Sequence, residues 1–84
     1  MNLPAVDVKQ TGKNIDKLRI QHGLSIKDIQ LILGFTTPNA IYTWVHGKSM
    51  PTIDNLVVLA AIFKVSLDEI VITKSTSGET GSTR

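Results

Sequence analysis

The chain has 84 residues, 42% of them hydrophobic but only 5% aromatic, and a formal net charge of +2. That length fits one small domain burying about 60% of its unfolded surface, with a core drawn from Ile, Leu and Val. Cysteine is absent, which excludes disulfides, cysteine zinc sites and thiol catalysis.

In chain order, residues 1–10, MNLPAVDVKQ, hold no basic segment followed by an apolar one. No secretory signal is expected there. They read as an N-terminal arm, with Leu3, Val6 and Val8 able to pack on the domain. Five short helices follow, predicted over residues 12–21, 25–33, 38–46, 52–63 and 67–71. Thr11 before Gly12 marks the first start. Ser25 with Asp28, and Ser66 with Glu69, form capping-box patterns, each with an apolar pair (Leu24 and Ile29, Val65 and Ile70) placed as a staple. Thr37-Pro38 sets a cap residue before a proline, and Asp54 suits the positive end of a fourth helix. Gly23, Gly34 and Gly47 stand where left-handed stops belong, two of them after histidines His22 and His46.

Apolar spacing agrees with helices. Ile15 and Leu18 share a face, as do Ile29, Ile32 and Leu33, and Ile41, Trp44 and Val45. The fourth helix has Ile53, Leu56, Leu59, Ala60 and Phe63 on one side, and Val57, Val58 and Ile62 beyond it. Such a helix is central in a bundle or covered by a partner. Its apolar run, residues 56–63, is far short of the ~20 residues that span a bilayer. Residues 73–84 read as a disordered tail, for the last ten, STSGETGSTR, include no apolar residue. The body of the domain is thus residues 11–72.

Charge is unevenly placed. From Lys9 to Lys48, six cations (Lys9, Lys13, Lys17, Arg19, Lys27 and Lys48) face Asp16 and Asp28, an excess of four. From Ser49 to Ile72, Lys64 faces Asp54, Asp68 and Glu69, a deficit of two. The first stretch suits a phosphate partner.

Catalysis is not expected. The two histidines sit at helix ends, where the dipole favours them. No close histidine and carboxylate set supplies the three or four ligands of a metal site, and Ser25 and Ser66 already have capping roles. Neither metal nor cofactor is expected. The organised feature is residues 24–48, LSIKDIQLILGFTTPNAIYTWVHGK. A short helix ends at Gly34, a turn follows, and a second helix buries Ile41, Trp44 and Val45 while presenting Asn39, Tyr42 and Thr43. That is the layout of a helix-turn-helix, whose second helix enters a major groove.

From Thr11 to Ile72 the chain resembles the Cro/repressor-type helix-turn-helix domain of the XRE family. The resemblance rests on TGKNIDKLR, HGLSIKDIQLILGF, AIYTWVHGK and MPTIDNLVVLAAIFKVSLDEI, in that order. It implies an all-α, lambda-repressor-like five-helix bundle that binds operator DNA as a two-fold homodimer. It further implies that Thr37, Pro38, Asn39, Ala40, Tyr42 and Thr43 fall where the family reads bases. Lys48, Ser49, Ser25 and Lys27 match positions that grip phosphate, the last two at a helix start whose amides suit an anion. The turn GFTTPNA is one residue longer than the family pattern. Ile26 stands where a glutamine commonly touches phosphate, and Gln30 where a small residue is usual. Val45 replaces the acidic residue that pairs with the arginine of helix one, which leaves Arg19 free to reach phosphate.

The expectation is a cytoplasmic, sequence-specific DNA-binding regulator, a repressor, with double-stranded DNA as partner and no membrane association. The alternative is a protein-interaction module on the same fold, an antitoxin or anti-repressor with a protein partner. It draws on a third helix without Arg, Lys or Gln.

Overall fold

The computed structural model describes residues 3–75. Its element order is β1 (Pro4–Val6), α1 (Val8–Gln21), α2 (Ile26–Leu33), α3 (Asn39–Val45), α4 (Ile53–Phe63), α5 (Leu67–Ile70) and β2 (Thr73–Ser75). The five helices are those expected from the caps and stops. Gly23, Gly34 and Gly47 all have positive φ. Ser25 accepts from the Asp28 N–H at 2.9 Å, and the Asp28 carboxylate accepts from the Ser25 N–H at 2.8 Å. That N–H, with the Ser25 hydroxyl, holds the Asp28 carboxyl below its ordinary range. Glu69 closes the second box by accepting from the Ser66 N–H at 2.8 Å.

The core is Ile15, Leu18, Ile29, Ile41, Trp44, Leu56, Leu59, Phe63 and Ile70, every one buried. Half-buried Leu24 and Val65, the two proposed staples, pack on this cluster. No helix among the described residues is long and apolar enough to cross a membrane.

The N-terminal end differs from expectation. α1 starts at Val8, four residues ahead of the predicted start, and its cap is Asp7, whose carboxylate accepts from the Gln10 N–H at 3.0 Å. Residues 4–6 of the expected arm form a strand. It pairs antiparallel with β2, Ala5 opposite Lys74, and the ladder continues as the Asp7 N–H donates to the Ile72 carbonyl at 2.7 Å. Residues 73–75, read as the start of the tail, are therefore a strand; residues 76–84 of that tail lie outside the described residues.

Thr11 is not a cap. It is buried one turn inside α1, where its hydroxyl accepts from the Ile72 N–H at 2.9 Å and reaches the Ile72 carbonyl at 3.4 Å. Asn14, on the next turn, donates to the carbonyls of Glu69 and Ile70 at 2.7 and 3.0 Å. These bonds satisfy the end of α5 from the side of α1, which a short helix without its own stop residue needs. Gly12, mid-helix, marks the place where α1 meets α3: a Cβ built there would lie 2.0 Å from the Trp44 carbonyl oxygen.

Candidate nucleic-acid interface

The unit that positions the site is α2, its turn and α3. α2 ends when Gly34 takes the left-handed conformation and the Phe35 N–H returns to the Gln30 carbonyl at 3.0 Å. The Gln30 side chain, buried between the helices, donates to the Phe35 carbonyl at 3.2 Å. A small residue could not make that bond, so the unusual Gln30 and the long turn belong together. Phe35 then sets its ring edge-on to Trp44, centroids 5.9 Å apart. α3 starts one residue later than predicted, with Pro38 as its cap and Asn39 as its first residue.

α3 has two faces. Ile41 and Trp44 are buried, and half-buried Ala40 and Val45 pack beside them. At about 100° per residue, Asn39, Tyr42, Thr43 and His46 form the opposite face. Asn39, Tyr42 and His46 are exposed, and Thr43 is half-buried. The Tyr42 ring stacks on that of His46, centroids 6.0 Å apart and planes 25° apart.

Of the six expected base-contacting residues, Asn39, Tyr42 and Thr43 thus lie on the outer face. Thr37 is exposed in the turn, its hydroxyl accepting from the Asn39 N–H at 3.4 Å. Pro38 is half-buried, and Ala40 turns toward the core rather than outward.

Thr43 donates its hydroxyl to the Ala40 carbonyl at 2.7 Å and lies 2.8 Å from the Ser49 hydroxyl. A hydroxyl has one proton, so Ser49 must be the donor of the second bond. Its proton is then committed to Thr43, and the pair ties the loop after α3 back onto the helix. The Lys48 N–H reinforces the tie through the Thr43 carbonyl at 2.9 Å. The Lys48 side chain is exposed.

Ser25 and Lys27 are exposed at the start of α2 and share no hydrogen bond with α3. Arg19 is not released as expected. Its Nε and Nη2 bind Asp16 at 2.9 and 2.8 Å, and its Nη1 donates to the Leu24 carbonyl at 2.9 Å. Asp16, one turn back on α1, replaces the missing acidic partner at Val45.

A residue that sequence reading left in the arm joins this end of the molecule. With α1 extended to Val8, Lys9 lies against Gly47, where an added Cβ would meet its Cα at 2.7 Å. Only glycine serves at 47, since φ is +73° as well. The signal was the spacing of Asp7 to Gln10, a cap and its third helical residue. Among the described residues there is no cluster of three side chains able to hold a metal ion.

The helix-turn-helix family model matches residues 15–70. No curated protein is similar in sequence at a significant level. Two solved structures superpose well. One is the restriction-modification controller protein C.AhdI from Aeromonas hydrophila, with a TM-score of 0.67, 20% identity, and coverage of 76% of this chain and 96% of that one. The other is the DNA-binding domain of BldD, with a TM-score of 0.65, 22% identity, and coverage of 79% and 94%. At such identities the superpositions establish the fold, and the family match covers two thirds of the chain. The chain belongs to the Cro/repressor-type helix-turn-helix family.

Proposed function

We propose that this chain is a sequence-specific DNA-binding transcription regulator that acts in the cytoplasm as a repressor, by occupying its operator. The observation that carries this reading is the outer face of α3. Asn39, Tyr42 and Thr43 stand on it, while Ile41 and Trp44 fix the helix to the core behind them. In this reading α3 enters the major groove by its N-terminus, with Thr37 and Asn39 nearest the base edges. Lys48, with Ser25 and Lys27 at the start of α2, holds the phosphates that set the register. Pro38 and Ala40 shape the approach. Ser49 acts by fastening the loop to Thr43. Arg19 braces α1 against the α2 start and reaches phosphate only if it gives up Asp16 or Leu24.

The binding unit is a homodimer. Ile53 is 70% exposed, Val57 53% and Leu67 37%. Together with Leu56 and Val71, Ile53 and Leu67 line an apolar groove between α4 and α5. Val58 and Ile62 are half-buried, so Val57 is the residue of the helix-four surplus most open to a partner. Single apolar residues are ordinary on a surface, but a contiguous groove marks an interaction site. Two-fold pairing is how helix-turn-helix proteins address two half-sites.

Sedimentation of the chain with a labelled random duplex tests both statements. At low salt two copies should travel with each duplex, and binding should fall steeply as salt rises, because phosphate contacts release counterions. A second reading, a protein-interaction module, draws on an α3 without Lys or Arg. A chain that leaves the duplex free at low salt supports it instead.

A further inference from the structure

The geometry points to His46 as a proton-dependent phosphate ligand on the recognition helix, a reading that rests on the DNA-binding function proposed above. In sequence His46 is a stop residue beside Gly47 and nothing more. In the structure it is the last residue of the outer face of α3, seven positions after Asn39 and so almost directly in line with it. It is exposed. Its ring is held against Tyr42, so the imidazole does not have to be ordered anew when a ligand arrives.

Its charged surroundings are all of one sign. The loop that follows supplies Lys48, and the first turn of α1, packed against Gly47, supplies Lys9. The titratable group on its own helix that faces it is Tyr42. Among the described residues no carboxylate lies within ion-pair distance of His46; the recorded ion pair is Arg19 with Asp16. Two lysines disfavour an added proton, and a phosphate among the three reverses that preference. A negative ligand and a proton therefore bind His46 together. The helix C-terminus favours the protonated ring in the same sense. Because α3 enters the groove by its other end, this end meets backbone and not base edges.

Titrating a labelled random duplex at low salt, at about pH 8 and about pH 5.5, brackets the range in which histidine acquires its proton. Wild type should bind more tightly at the lower pH, by roughly fivefold per subunit, the upper end for an exposed ion pair. His46→Gln should lose that gain and bind like wild type at the higher pH. His46→Lys should bind at both pH values as wild type does in acid. His22→Gln should keep the wild-type response, since His22 lies against Phe63 and the Leu18 carbonyl, away from α3. A full pH response in His46→Gln overturns the assignment of His46 while leaving DNA binding intact. A wild type that ignores the duplex at both pH values overturns the functional reading, and this one with it.

Discussion

Gly12→Ala should unfold much of the population in mild urea, although alanine is the better helix former by about 1 kcal/mol. The reason is the crossing of α1 and α3. The new Cβ would stand 2.0 Å from the Trp44 carbonyl oxygen and 3.1 Å from the Gly47 nitrogen. Both are backbone atoms, so no side chain can swing aside to make room. The helices must separate, and the contacts of Ile15 with Ile41 and Trp44 in the common core loosen with them. Overpacking typically costs about 1–3 kcal/mol, and more where relief requires backbone movement. For a chain of this size, with total stability on the order of 4–12 kcal/mol, such a loss is a large share. Urea denaturation followed by circular dichroism decides the matter. A stabilised variant would mean that helix propensity outweighs the crossing, and that the two helices do not meet this closely.

Trp44→Ala should cost about 3–5 kcal/mol. The side chain is 4% exposed and is the largest in the core. Removing it leaves a cavity between α1 and α3 and deprives Phe35 of the ring on which its edge rests. The turn before the recognition helix should loosen together with the core. Thermal melting measures the loss, and DNA binding should disappear only in proportion to unfolding. A variant that melts like wild type yet no longer binds would place Trp44 at the ligand and not in the core.

Much of this fold was legible because helix ends carry local chemistry. Ser25 with Asp28 and Ser66 with Glu69 declare their boxes within four residues, and Gly23, Gly34 and Gly47 declare their stops. What escaped is what depends on distant partners. Pro4–Val6 and Thr73–Ser75 are three-residue strands about seventy positions apart, and neither alternates long enough to signal a sheet. Thr11 looked like a cap because a glycine follows it. Its real partner, Ile72, is 61 residues away. Gly12 looked like part of a boundary because helix interiors disfavour glycine, and only the approach of α3 explains it.

The candidate site divides in the same way. The inner and outer faces of α3 follow from its apolar spacing alone. The replacement of a missing acid at Val45 by Asp16, the bond from Ser49 to Thr43, and the arrival of Lys9 at Gly47 all needed coordinates. Each is a contact between side chains, or between a side chain and backbone, that no propensity encodes.

The central claim is that α3 reads bases while the residues around it grip phosphate, and one comparison tests it most directly. A preferred operator is first selected from a random duplex library. Affinities of Asn39→Ala and Lys48→Ala are then measured on that operator and on random DNA across a range of salt. Asn39, exposed in the first turn of α3, can make a bidentate contact to adenine worth about 1–3 kcal/mol of discrimination. Asn39→Ala should weaken operator binding by that amount and leave random DNA nearly unchanged. Lys48→Ala should weaken both alike and lower the salt slope by about one. Equal losses on operator and random DNA for Asn39→Ala and for Thr43→Ala would contradict the claim that this helix reads sequence.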